Sequence, residues 1–315
     1  MLLAAIASFP SLSLAAQLLV LNKSDATLSF IDPASGKTAA TIATGEGPHE
    51  IEVSADGRFA FIGNYGARTP GNTLSVVDIA ARKELKRVDL GELRRPHGLA
   101  VSGGQLYLTS EESRRIARYN PETQSVDWTF ETGQEGTHMV LASRDGAKLF
   151  ATNMGSNNVS VIARNSRGAW AQTLVTVGAG PEGLDLTPDG RSLWTAHSRD
   201  GGISIIDTAS AKVTHTFDAK TQRANRVKLT PDGKLALVSD LSGGELIVID
   251  AATRAERARL KVGRTPTGVL IVPGGETAFV AISGDDRLAV IDLKNLSVSR
   301  TISTGGGPDG MAWVR

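Results

Sequence analysis

The sequence predicts an all-β protein, a seven-bladed β-propeller with four antiparallel strands per blade. Three observations predict it. One phrase recurs seven times at near-constant spacing, each interval holds four short strand signals, and the two ends of the chain complete one repeat between them.

The phrase is Gly-x-x-Pro, a polar residue, an alternating apolar run and then a tight turn. It reads "GEGPHEIEVSADG" from Gly45, "LRRPHGLAVSGG" from Leu93 and "GQEGTHMVLASRDG" from Gly133. It continues as "GAGPEGLDLTPDG" from Gly178, "QRANRVKLTPDG" from Gln222, "GRTPTGVLIVPGG" from Gly263 and "GGGPDGMAWVR" from Gly305. Aligned on Pro48, Pro96, Thr137, Pro181, Ala224, Pro266 and Pro308, the steps are 48, 41, 44, 43, 42 and 42 residues. That is the length of a propeller blade.

Within the first repeat the strand signals are "IEVS", "FAFIGN", "TLSVVDI" and "ELKRVDL". Alternation of period two, rich in Val, Ile and Thr, argues strand over helix. Asp-Gly between two apolar runs is a strong hairpin signal, and it stands at Asp56, Asp145, Asp189 and Asp232. The segment "NYGARTPGNT" (Asn64–Thr73) reads as the longest loop and a candidate recognition element. Trp128, Trp170, Trp194 and Trp313 read as packing between blades, and Asp78, Asp207, Asp250 and Asp292 as turn formers after third strands. The seventh phrase stops at Arg315 after one strand, while the N-terminus supplies "LLVLN", "ATLSFID" and "TAATIAT". Joined, they complete blade seven and leave no open sheet edge.

The chain divides into an apolar leader, residues 1–16, and one propeller, residues 17–315. The leader "MLLAAIASFPSLSLAA" is too short to span a bilayer and carries small residues at Ser13 and Ala15, as a cleaved signal peptide does. A periplasmic or secreted protein is expected, with no membrane span and as a monomer. A net charge of +1, scattered Lys and Arg, and 5% aromatic residues give no footprint for nucleic acid. With no cysteine, disulfides, thiolate metal sites and covalent c-type haem are excluded.

The phrases "GAGPEGLDLTPDGRSLWTAH", "NNVSVIA", "GGISIIDTASAKVTHTF" and "ELIVIDAATRAERARLKVG" resemble the YVTN-repeat β-propellers, over nearly everything from Gln17 to Arg315. The resemblance implies the fold and is weak for function. It extends to lactonase-type propellers and to haem-d1-type propellers, whose eight blades this chain does not match. No catalytic residue carries over from either.

First strands of blades line a propeller's channel, so the residue after each proline should stand at the channel mouth. These are His49, His97, His138, Glu182, Asn225, Thr267 and Asp309, and three of the five histidines fall here in consecutive blades. The next position is glycine in four blades, with Glu50 and Arg226 as charged exceptions roughly across the channel. Loops after second strands lie on the same face and bring Asn64, Glu111, Asn153, His197 and Asp240. Together these form a candidate site for a small polar ligand or a protein partner. Two further chemistries fit. Neutral imidazoles of His49, His97 and His138 are a Zn or Cu ligand set if the rings converge. A histidine or Glu182 as general base, with Arg226 stabilising an oxyanion, would open a lactone. A binder is expected ahead of an enzyme.

Overall fold

A computed structural model describes residues 16–315 of the chain. The leader expected at residues 1–16 lies, apart from Ala16, outside the described residues. Twenty-eight strands form seven four-stranded antiparallel sheets. Six are built from consecutive strands, as in the first blade: Pro48–Val53, Phe59–Gly66, Pro70–Asp78 and Lys83–Asp89. In the seventh, the C-terminal strand Pro308–Val314 pairs with Gln17–Asn22, opposing Val314 to Gln17. The ring therefore closes through strands from both ends of the chain.

Burial is greatest in the middle strands of each blade and least at its outer edge. Second and third strands are packed on both faces, so "QLLVLN" is buried from Leu18 onward, whereas the outer strand Lys212–Asp218 is exposed at all but one residue. Apolar side chains interlock between neighbouring blades. Leu237 and Val248 of the fifth meet Val269, Val280 and Ala289 of the sixth. Trp194 is buried, and Trp128 and Trp170 pack together across two blades at 5.5 Å. Trp313 stacks on Phe279 of the sixth blade at 6.3 Å and packs against the core there, with one edge bordering the channel.

The four Asp-Gly turns share one construction. Asp56, Asp145, Asp189 and Asp232 each accept a 2.6 Å bond from the hydroxyl two residues earlier and a backbone N–H two residues later. Each following glycine has φ near +70°, where a side chain would be strained. The expected loop at Asn64–Thr73 is instead mostly ladder. The second and third strands run on until Gly66 faces Pro70, leaving three residues in the turn.

One irregularity positions the site. In each first strand the register slips after the position of Pro48. Pro48 faces Asn64 but Ile51 faces Ile62, so the first strand carries one extra residue. The same slip follows Pro96, Thr137, Pro181, Ala224 and Pro266. A β-bulge breaks the strict alternation of faces. It lets two successive residues, such as His49 and Glu50, both turn toward the axis.

Candidate functional site

At the mouth the imidazoles of His49, His97 and His138 form a continuous stack. Ring centroids are 4.1 Å apart for the first pair and 3.7 Å for the second. Adjacent first strands approach closely enough for this because Gly98 separates them. A Cβ on Gly98 would lie 2.6 Å from the Met139 Cα and 2.7 Å from the His138 carbonyl oxygen. Hydroxyls on second strands tie neighbouring mouths together. Thr109 accepts from the Gly98 N–H at 2.8 Å and donates to the His138 carbonyl. Thr152 likewise joins Met139 to Glu182, and Ser239 joins Arg226 to Thr267.

Each imidazole has a different environment. His49 Nε2 faces the Lys23 ammonium at 2.8 Å, while Asp309 Oδ2 lies 3.0 Å from Nδ1, close but poorly aligned for a hydrogen bond. An ammonium on one nitrogen and a carboxylate beside the other both favour the tautomer with its proton on Nδ1. His138 Nδ1 lies 3.4 Å from Glu111 Oε2, which also accepts a 3.0 Å bond from the Tyr65 hydroxyl. His97, in the middle and 1% exposed, has no protein partner on either ring nitrogen among the described residues. Burial is the chief cause that pushes His49 and His97 well below the usual histidine value, reinforced by Lys23 at His49 and by the neighbouring imidazoles at His97. Both rings are therefore neutral at physiological pH. Burial alone would raise the Glu111 carboxyl, but bonds from His138 and Tyr65 outweigh it and hold it low.

Beneath the stack a buried ion cluster plugs the channel. The Arg226 guanidinium reaches across the axis to Glu50 Oε1 in direct contact, and its Nη1 lies 3.9 Å from Glu182 Oε1. Burial opposes its charge, but Glu50, Asp309 and Glu182 outweigh that and hold it more firmly protonated than usual. Asn225 donates to the same Glu182 oxygen, leaving Glu182 Oε2 buried without a hydrogen-bond partner among the described residues, 4.0 Å from Arg223 Nη2. Glu50 and Arg226, the charged exceptions at the glycine position, thus pair directly with each other. Below them a cavity of about 600 Å³ opens to the opposite face, lined by Glu52, Lys228, Met139, Leu184, Leu270 and Trp313.

The mouth brings together His49, Glu50, His97, His138, Glu182, Asn225, Arg226, Asp309 and Glu111. It does not bring in Asn64, Asn153, His197 or Asp240. These are latches inside single blades. Asn64 donates to Thr73 and Ser75, Asn153 to Asn158 and Ser160, and Asp240 accepts from the backbone of Gln222, Arg223 and Gly243. His197 Nδ1 sits 3.1 Å from Asp200, and its burial lowers its pKa. All four face the proline-equivalent residue of their blade, and it is the residue one further on that overhangs the mouth. Lys23 and Tyr65 occupy that further position and were missed. Tyr65 stands edge-on to His49 and His97, with the Arg95 guanidinium 4.6 Å above its ring.

Chemically, the mouth offers buried lone pairs and N–H groups to something that enters from above. The candidate donor atoms of His49, Glu50 and His97 lie within 4.8 Å of one another. Arg226 already satisfies carboxylates, so its positive charge is spent internally.

Comparisons with known proteins agree with the architecture. A family model described as outer membrane protein assembly factor BamB matches residues 3–130. The curated protein YncE of Salmonella typhimurium, itself uncharacterized, is 28% identical over 145 residues, 44% of this chain and 40% of YncE. The match thus spans less than half of that relative's length. Among solved structures, the periplasmic gluconolactonase PpgL of Pseudomonas aeruginosa superposes with a TM-score of 0.76 at 21% identity, covering 95% of this chain and 99% of PpgL. Hydrazine synthase of Kuenenia stuttgartiensis superposes at 0.78 with 20% identity, covering 88% and 92%. At such identities the likeness is one of fold. The chain is a seven-bladed β-propeller similar to the BamB-type and YncE-type repeat proteins, in keeping with its YVTN-like repeat phrases.

Proposed function

We propose that this protein is an exported binding propeller whose channel mouth, built on His49, His97 and His138, holds a small polar ligand. The observation that carries the reading is His97: enclosed, neutral, and without a protein partner on either nitrogen among the described residues. A buried polar atom left unpaired costs about 1–3 kcal/mol, and native proteins leave few of them. A ligand that accepts from one ring nitrogen and donates to the other recovers that cost. Tyr65 and Glu111, which touch the stack, line together with Arg95 a neighbouring depression of about 330 Å³. Export is supported by the apolar leader and by the name of the periplasmic relative. Among the described residues no helix is long and apolar enough to cross a membrane.

Binding is favoured over lactone hydrolysis because Arg226, the group needed to stabilise an oxyanion, is held by Glu50 beneath the stack. The test is a thermal-shift screen of polar metabolites, lactones included, on the parent and on His97→Phe, which keeps a flat ring and removes both nitrogens. The reading expects at least one compound that stabilises the parent and not the variant. Equal shifts in both, or none in either, would defeat it. Turnover of a lactone in the same screen, lost in Glu182→Gln, would establish the hydrolytic alternative.

A further inference from the structure

We propose that the mouth takes a divalent transition-metal ion of borderline softness, Zn²⁺ or Cu²⁺, held by His49 Nε2, a ring nitrogen of His97 and the free oxygen of Glu50. The inference rests on the mouth being a binding site and names the class of ligand it takes.

The bulge supplies the ligand set. His49 and Glu50 are successive residues, and in a regular strand they would face opposite sides of the sheet. The slip between Pro48 and Ile51 turns both inward, next to His97 of the adjacent blade. One donor atom from each of the three lies within 4.8 Å of the others, whereas donors around one tetrahedral ion at roughly 2.0–2.2 Å bonds sit about 3.4 Å apart. Small side-chain rotations close the difference. Glu50 can serve without giving up its ion pair, because Arg226 holds Oε1 and leaves Oε2 without a protein partner among the described residues. Glu50 thus takes the place that the sequence suggested for His138. His138 stacks on the far side of His97 at 3.7 Å and fixes that ring from behind.

The surrounding charges already treat the position as a cation site. The Lys23 ammonium sits on His49 Nε2, the lone pair an ion would use, and its side chain is 37% exposed, free to swing into solvent. Asp309 lies against His49 Nδ1, the carboxylate–histidine arrangement that orients metal-binding imidazoles. Carboxylates of Glu50, Glu111, Glu182 and Asp309 outnumber the cations touching them, Lys23, Arg226 and Arg223. Lys23 is then a displaceable stand-in for the ion, and three protein ligands leave a coordination position open toward the mouth.

The test is calorimetric titration of ZnCl₂ and CuCl₂ into untagged, chelator-treated full-length protein, with electron paramagnetic resonance of the Cu²⁺ form. One ion per chain is expected, with coupling to two nitrogens. His97→Ala and Glu50→Gln should each weaken binding at least 10-fold. Lys23→Met, on an accessible side chain whose loss leaves the packing intact, should tighten it several-fold by removing the competing charge. Absence of stoichiometric uptake, or affinity unchanged in both His97→Ala and Lys23→Met, would overturn the inference. The two proposals fail separately. No metal uptake alongside an organic ligand lost in His97→Phe removes the metal and keeps the pocket. No metal uptake and no ligand of any kind removes both.

Discussion

Replacing Arg226 by Met tests the ion cluster under the mouth. The guanidinium is 5% exposed and is the cation shared by Glu50, Glu182 and Asp309, the last two 6% and 4% exposed. Methionine fills similar volume but leaves those carboxylates facing one another with little water. Removing one partner of a buried ion pair costs about 3–5 kcal/mol; Glu50 loses its cation outright, while Asp309 keeps Lys23 at 3.7 Å and Glu182 keeps Arg223 at 4.0 Å. With an unfolding entropy of about 2.1 cal/mol/K per residue, roughly 300 described residues make 1 kcal/mol worth about 1.6 °C, so Tm should fall by about 5–8 °C. Thermal unfolding followed by circular dichroism reads this directly. The loss should shrink toward acid pH, as the stranded carboxylates take up protons, and should be partly repaired in Arg226→Met/Glu50→Gln. A Tm drop under about 2 °C, or a double variant worse than the single, would refute the cluster as described.

Three other outcomes follow from the same geometry. Burial pushes the Glu52 carboxyl up to about 7, against the pull of Lys228, which it shares with Asp185, and with the help of the nearby Glu50 charge. The folded chain then keeps a proton that the unfolded chain loses, so stability falls as pH climbs from about 4.5 to about 7 and is level above that range. Glu52→Gln should therefore raise Tm above pH 7 and make no difference near pH 4.5. Asn64→Ala removes donors to Thr73 and Ser75 from a fully buried site, and should cost about 1–3 kcal/mol in urea unfolding with no effect on ligand uptake at the mouth. Gly98→Ala drives a methyl group into the backbone of Met139 and His138, and should both lower stability by about 1–3 kcal/mol and weaken binding at the mouth.

Much of this architecture is legible in the sequence because it repeats. Seven copies fix the strand count, and the split phrase at the ends fixes the closure. The mouth positions were legible for the same reason: His49, His97 and His138 share a register, and a rigid ring converts register into proximity. Asn64, Asn153, His197 and Asp240 failed by one residue. In a strand a shift of one flips the side chain to the other face, and those four stand opposite the proline-equivalent residue, whereas Glu111 stands one residue further on. Lys23 and Tyr65 occupy that next position and carried no recurrent motif of their own. His49 and Glu50 were both assigned to the mouth, but the bulge that turns both inward was not legible, because it is a property of pairing between strands and leaves no mark in either one. Glu50 meeting Arg226 was visible only as two charged exceptions to a glycine position. Its directness depends on channel width, which the repeat length does not encode.

Protonation of the three mouth imidazoles, read residue by residue from ring-nitrogen shifts in ¹⁵N-labelled protein, tests the central claim most directly. At about pH 5.5, one unit below the ordinary histidine value, His49 and His97 should remain neutral, with the His49 proton on Nδ1. If both rings instead titrate near 6.5 as histidines in open water do, they are not enclosed at the axis, and the site described here does not exist.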